Sequence, residues 1–384
     1  MQSIKEILYF IRCDIIFIIS LLIPKQKTLW VFGAWFGDKY ADNPRYFFEF
    51  MIKNHPEIKC VWLTKNEYVL QLLNKKGFPV CCACSVKGIL LAMRAKFCFI
   101  THNLYDITEY ACGRIKIVQL RRGTPFLVPI SHGEEKYPHR WPLFKRNIYR
   151  WDEAFVAASC EKVAKIYIRE FNVSPDKVKV TGYPRIDSFF APPDPCLAVF
   201  GILKKFNRDK TGIFIPHGNY TQFLKNIVQI DIKLSELNVL LLVRPYKYPP
   251  DLSGYSNLKS IYFLRDEDIE TDIYPILPRT DFLITDFASV FFDYVLLDKP
   301  VIFSPLELPA KEKNFFYDYL KTIPGPASND WQDTLKYIEK NLSDPSIYRL
   351  KRKSLSGEFN KFSDNQNCKR VFNEISSYIN LKSN

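Results

Sequence analysis

Residues 281–303 read DFLITDFASVFFDYVLLDKPVIF. The pattern predicts a buried strand over 282–285, a polar loop over 286–289, a helix over 290–297, a turn at Asp298-Lys299-Pro300 and a second strand over 301–303. A strand that runs through a small polar loop into a helix gathers unpaired backbone N–H groups at one point, and the helix dipole adds partial positive charge there. Such a point attracts anions, phosphate above all. Any βαβ unit of an α/β core has the same local pattern, so the segment alone leaves both readings open.

Outward from this segment, strands and helices alternate. Towards the N-terminus, strands are predicted over 29–35, 59–64, 80–82, 96–101, 115–120, 153–157 and 178–185. Helices are predicted over 43–54, 67–76, 85–95 and 161–170. The break APPDP (191–195) cannot sit inside a regular element and reads as an interdomain link. Beyond it come TGIFIPHG, a helix over 223–234, NVLLLVRPY, a short IYFL strand, a helix over 273–277 and three helices in the tail, over 330–341, 346–355 and 365–379. Alternation of this kind predicts parallel sheets with helices on both faces. The expected fold is α/β: two doubly wound, Rossmann-like domains facing a central cleft, over 27–190 and 196–384, preceded by an apolar helix over 1–26. Ligands of such sheets bind at strand C-termini.

The chain has 384 residues, 47% hydrophobic and 15% aromatic, enough for two sizeable cores. With 54 Lys+Arg against 41 Asp+Glu the formal charge is +13, which points to an anionic partner. No basic run or motif suits nucleic acid, so a membrane surface or a polyanionic substrate is the better match. The ten cysteines show no metal or disulfide spacing and fit a reducing cytosol. Residues 7–23 (ILYFIRCDIIFIISLLI) are apolar but carry Arg12 and Asp14, and the run after Asp14 is too short to span a bilayer. Either this helix lies in the membrane interface or it packs on the first domain; the basic surplus favours the interface.

Five short motifs sit where strands end. RRGTP (121–125) puts Arg121 and Arg122 after an apolar strand, with Gly123 and Thr124 in the turn. A double Arg there can hold phosphates, or be a solvated surface turn. TGYPRID (181–187) offers Arg185 to a ligand or to a local pair with Asp187. IPHG (215–218) puts His217 past a buried strand, suited to proton transfer or to a structural role. VLLLVRPY (239–246) places Arg244 for a nucleotide diphosphate or an interdomain salt bridge. In the opening segment Ser289 offers a hydroxyl and N–H, Asp293 an acceptor for ligand hydroxyls, and Asp286 either a ligand contact or a helix cap.

Together these residues resemble the CDP-glycerol:poly(glycerophosphate) glycerophosphotransferase family of teichoic-acid and related capsule synthesis, over about residues 32–326. The family's run I-T-D-Y-S-S-V-F-F-D-Y-L-L-L-D-K-P stands here as ITDFASVFFDYVLLDKP (284–300). IYPILPRTD (273–281), PGP (324–326), TGYPRID and RRGTPF also match. The resemblance implies a two-domain nucleotide-sugar transferase fold, association with the cytoplasmic face of the plasma membrane, and transfer of a polyol phosphate from a CDP-polyol to a polymer or lipid-linked acceptor. It implies no metal and no cofactor beyond the CDP-glycerol-like donor. The departures are Arg122 where the family has the histidine of its G-T-P motif, Arg244 for the histidine of L-H-P, PHGN for P-T-W-R, and Ala288 for the first Ser of S-S. Arg stays protonated and cannot serve as a base, but it can neutralise a transferring phosphoryl group.

By this resemblance the donor contacts are Gly123, Thr124, Arg185, Arg244, Asp286, Ser289 and Asp293. Arg122 meets the transferred phosphoryl, and Asp42 and Asn43 lie on the acceptor side; with the family's histidine replaced, His217 and His132 are the candidates for the base. Two other readings stay open: a glycosyltransferase using a nucleotide sugar on the same scaffold, and a non-catalytic member of a polymer-assembly complex.

Overall fold

The computed structural model describes residues 4–126, 142–147, 155–170, 173–191, 197–217, 220–245, 253–305 and 315–376. The chain divides into two compact units: Met1–Arg122 with Ser131–Phe190 and Asp364–Asn384, and Gly123–Ile130 with Ala191–Ser363.

Among the described residues the first unit holds seven parallel strands. They are β1 (Gln26–Phe32), β2 (Lys59–Thr64), β3 (Val80–Cys82), β4 (Ala95–Ile100), β5 (Lys116–Gln119), β6 (Phe155–Ala158) and β7 (Val178–Val180). Their order is β3-β2-β1-β4-β5-β6-β7, so the direction of winding reverses between β1 and β4. The core is aromatic. Phe32 stacks on Phe99 at 4.5 Å, and Trp30, Phe47, Phe48 and Trp62 close around them. Gly33, just past β1, runs so close to Asp106 that a Cβ there would overlap its carbonyl. Only glycine lets the β1 exit pass that point.

The second unit holds β8 (Lys210–Ile215), β9 (Val239–Val243), β10 (Ile261–Phe263), β11 (Phe282–Thr285) and β12 (Val301–Phe303), again all parallel, in the order β10-β9-β8-β11-β12. The reversal here lies between β8 and β11. β9 (VLLLV) and β11 (FLIT) are buried at every residue, the unbroken apolar pattern of strands covered on both faces. The PGP motif has a steric basis in this unit: a Cβ at Gly325 would overlap the Val301 carbonyl.

Several expectations need correction. The helix expected over 290–297 is a four-residue helix, Phe291–Tyr294, followed by a tight 3-10 turn, Val295–Leu297, that ends on Asp298 at φ 52°. The strand expected over 178–185 stops at Val180, because Gly182 takes φ 74° and Pro184 opens a 3-10 segment, Pro184–Phe189. The first strand lies at Gln26–Phe32 rather than 29–35. The helix expected over 223–234 is split at Asn226 into Thr221–Lys225 and Ile227–Glu236, and the helix over 273–277 is a 3-10 turn, Leu277–Arg279. Residues 192–195 of the Pro-rich break lie outside the described residues.

The tail, expected whole in the second domain, sends its last described helix, Asn367–Ser376, to the first unit. Val371 and Ile375 join that core, and Asp187 accepts the Asn367 and Cys368 N–H groups at 3.0 and 2.9 Å. A distant carboxylate thus caps this helix, which sequence spacing cannot reveal.

The N-terminal helix, Ile4–Leu22, packs one face on the first unit and leaves apolar side chains exposed on another. Cys13 and Phe17 pack with Phe144, and the Ser20 hydroxyl accepts from the Gly113 N–H at 2.9 Å. Ile4, Leu8, Ile11, Ile15, Ile18 and Leu22 recur every three or four residues on the exposed face. No helix of the described residues is long and apolar enough to cross a membrane.

Candidate functional site

In unit 2 the strand-order reversal brings β8 and β11 together, with Ile215 opposite Thr285. Open parallel sheets place ligands beyond the strand C-termini at such a reversal. His217, Asp286 and Ser289 lie there. Asp286, 4% exposed, accepts the His217 backbone N–H through its two oxygens at 2.9 and 3.0 Å, and the Ala288 N–H at 3.2 Å. It braces the two strand exits against each other instead of capping the next helix. The His217 side chain is exposed, and Ser289 is partly exposed beside Ala288. A four-residue helix has little macrodipole to offer an anion, so charge at this edge must come from side chains.

Most of the run from Ile284 to Pro300 holds the unit together. Asp293 is fully buried and accepts the Tyr274 hydroxyl at 2.6 Å. The Tyr294 hydroxyl is 2.8 Å from Thr280 Oγ1. Lys299 donates to the Pro278 and Thr280 carbonyls at 2.7 and 2.6 Å, and burial lowers its pKa. Asp298 accepts from Arg349 at 2.6 Å and from Arg352 at 3.2 Å. Arg244 is 8% exposed and ion-paired with Asp266, a bond inside unit 2 rather than between domains. Thr124 is buried in this unit with a hydroxyl that has no hydrogen-bond partner among the described residues, beside Gly123 at φ 131°. Phe126 of the same turn packs on Phe291 and Phe292.

In unit 1 the predicted acceptor-side residues form a buried hub. Asn43 donates to the Leu120 and Arg121 carbonyls, each at 2.9 Å, and accepts the Arg185 N–H at 3.0 Å. Asp42 takes φ 67°, accepts the Arg185 guanidinium at 2.6 Å and accepts Trp35 Nε1 at 3.2 Å. Arg185 also donates to the Arg122 carbonyl. The exits of β1, β5 and β7 are therefore tied through three side chains, and Arg185 pairs with Asp42 instead of its neighbour Asp187. This hub holds the Arg121–Arg122 turn in place. Arg122 is exposed and lies over the Trp35 ring at 5.2 Å, and Arg121 lies over Tyr167 at 5.0 Å.

Beside the hub lies a cluster that the sequence reading passed over. Thr101, His102 and Asp106 follow β4 at the unit 1 reversal. Asp106 is fully buried. It accepts the Phe36, Thr101 and His102 backbone N–H groups at 2.7, 2.7 and 2.8 Å and the Thr101 hydroxyl at 2.8 Å. The signal was present: THN follows the apolar strand KFCFI as PHG follows TGIFI. His132 lies outside the described residues.

A family model described as CDP-Glycerol:Poly(glycerophosphate) glycerophosphotransferase matches residues 15–377. A teichoic acid glycerol-phosphate transferase of Staphylococcus aureus is 26% identical over 379 residues, 91% of this chain and 93% of its own length. A teichoic acid poly(glycerol phosphate) polymerase of Bacillus subtilis is 26% identical over 360 residues, 87% of this chain; the chain spans only 46% of that polymerase. Among solved structures the wall teichoic acid polymerase TagF superposes with a TM-score of 0.74 at 20% identity, covering 99% of this chain and 97% of the other. A UDP-N-acetylglucosamine 2-epimerase gives 0.58 at 15% identity, over 94% and 98%. These two likenesses concern the fold: parallel α/β sheets. With a family match over nearly the whole length, the chain belongs to the CDP-glycerol:poly(glycerophosphate) glycerophosphotransferase family.

Proposed function

We propose that this chain transfers glycerol phosphate, or a related polyol phosphate, from a CDP-linked donor to a surface-polymer or lipid-linked acceptor, releasing CMP. The observation that carries the reading is the family match over residues 15–377, supported by a transferase relative matched along almost its whole length. An acceptor hydroxyl attacks the phosphorus that bears glycerol and CMP leaves, a reaction governed by positioning and charge neutralisation. On the donor side stand Ser289 and His217, on loops braced by Asp286. Arg122, held through its carbonyl by Arg185, supplies permanent positive charge to the phosphoryl group. Arg244, Asp293 and Thr124 support this edge from within the unit 2 core.

The test is CMP release. Purified protein with a lipid-linked acceptor is given CDP-glycerol, CDP-ribitol and a set of sugar nucleotides. CMP from a CDP-polyol is the expected result. UMP, UDP or GDP release from a sugar nucleotide would instead establish the glycosyltransferase reading, to which the exchange of histidines for Arg122 and Arg244 lends its support. No turnover with any donor would leave a non-catalytic assembly role.

The same reading places the protein peripherally on the cytoplasmic face of the plasma membrane. The exposed stripe of the N-terminal helix supports this, as does a basic cluster beside that helix's end. Lys27, Lys96, Arg114 and Lys116 lie close together: burial lowers the Lys96 pKa, and the other three lower it further. Arg114 donates to the Leu21 carbonyl at 3.2 Å. An apolar stripe flanked by cations suits an anionic lipid surface. Flotation with phosphatidylglycerol vesicles should carry the protein, and Ile11→Asp with Ile15→Asp should abolish it. Flotation that survives both substitutions would move the membrane contact elsewhere.

A further inference from the structure

The two strands that flank the unit 1 reversal carry Phe32 opposite Phe99. Three residues further along each chain, Trp35 meets His102 edge-on, with ring centroids 5.4 Å apart. Phe36 lies over the same imidazole at 4.3 Å. Trp35 and Phe36 hold φ of 51° and 59°, a region that side-chain-bearing residues enter at a cost and that recurs at ligand sites. The Phe36 N–H bonded to Asp106 and the Trp35 N–H bonded to Thr101 Oγ1 at 3.1 Å keep that turn in place.

Hydrogen-bond accounting assigns the imidazole tautomer. The Thr101 hydroxyl donates to Asp106, so its oxygen is left as an acceptor. His102 Nδ1, 2.7 Å from that oxygen, must therefore donate to it and carries the ring proton. The lone pair is then on Nε2, which is buried with no hydrogen-bond partner among the described residues. A buried acceptor without a donor is costly to keep, and here it sits at the edge where a parallel sheet takes its ligand. The ring is 11% exposed.

We propose that His102 Nε2 is the proton acceptor for the attacking hydroxyl, in a relay Asp106–Thr101–His102, with Phe36 as the cover that the hydroxyl displaces. The assignment rests on the phosphoryl-transfer reading above. As the hydroxyl oxygen bonds to the phosphorus bearing glycerol, its proton passes to Nε2. The bond from that phosphorus to the bridging oxygen breaks, and the electron pair leaves with CMP. The new imidazolium keeps its Nδ1–H on Thr101, with the Asp106 carboxylate behind it, and then gives its proton to solvent. Arg122 cannot take this role because it stays protonated.

The charged groups around the ring agree with the assignment. Burial lowers the His102 pKa below its ordinary 6.5; Asp106 opposes that shift, while Arg122 and Arg121 add to it. Trp35 and Phe36, on the β1 exit, are uncharged, and Lys39 lies over the Trp35 ring at 5.1 Å. The imidazole is therefore neutral and ready to accept a proton at neutral pH.

The experiment compares CMP release from CDP-glycerol by wild type and His102→Gln. Gln fills the place of the ring with an amide that cannot take up a proton. Turnover of His102→Gln should fall about a hundredfold or more, with the donor KM unchanged. The wild-type acid limb, lying below pH 6.5, should vanish with it. Circular dichroism and thermal melting check that the variant is folded. If His102→Gln does not fold, long-range ¹H–¹⁵N NMR of the wild type decides: an Nδ1–H tautomer with a pKa below 6.5 upholds the relay, and an Nε2–H tautomer overturns it. Full turnover of folded His102→Gln with an unchanged acid limb removes His102 from the mechanism while leaving the transfer reading intact. No CMP release by wild type overturns both.

Discussion

The two strand-order reversals solve one structural problem in different ways. In each, a buried carboxylate on one strand exit binds backbone N–H groups of the neighbouring exit. Asp286 does this for His217 in unit 2, and Asp106 does it for Phe36 in unit 1. In unit 2 the carboxylate holds the backbone of the histidine loop, and the imidazole is exposed. In unit 1 it also accepts from the Thr101 hydroxyl, whose oxygen lies 2.7 Å from Nδ1 of a nearly buried imidazole, the contact from which the tautomer is inferred. The first arrangement leaves an exposed side chain at a loop surface, suited to meeting an anion. The second fixes a lone pair, suited to taking a proton.

The contrast breaks most visibly at the two carboxylates. Asp106→Ala strands three backbone N–H groups and a hydroxyl, two of these four bonds buried and two part-buried. At about 1–3 kcal/mol for each buried unpaired group, the loss exceeds about 4 kcal/mol, and urea unfolding should show a collapsed midpoint or no folded protein. Asp286→Ala strands at least two part-buried N–H groups and at the same rate should cost about 2–6 kcal/mol. Equal losses would mean that the two braces are equivalent. The next effect is at the hub. Arg185→Met leaves the Asp42 carboxylate buried without its cation, a change worth about 3–5 kcal/mol in such sites. It also releases the Arg122 carbonyl, so a fall in turnover should accompany the lost stability. A stable Arg185→Met variant with full turnover would show that the hub does not position Arg122.

Fold class was legible because both sheets are parallel and buried on both faces, which writes apolar runs such as VLLLV and FLIT directly into the sequence. Strand ends were legible to within a few residues. The partners of the site residues were not. Arg185 looked like a ligand contact or a mate for Asp187, and its actual partner, Asp42, lies 143 residues away. Asp286 looked like a cap for the helix after it, yet it binds a backbone N–H on another strand. These are pairings between strand exits, set by sheet order, and a linear reading has no access to sheet order. His102 was legible by the same strand-end pattern as His217, since THN follows KFCFI as PHG follows TGIFI.

The most direct measurement sets the two histidines side by side in steady-state kinetics with CDP-glycerol. His102→Gln should lose turnover about a hundredfold or more with the donor KM unchanged. His217→Ala should raise the donor KM and lose less turnover. If His217→Ala instead carries the large loss in turnover while His102→Gln changes only KM, the division between a proton-handling unit and an anion-handling unit is contradicted.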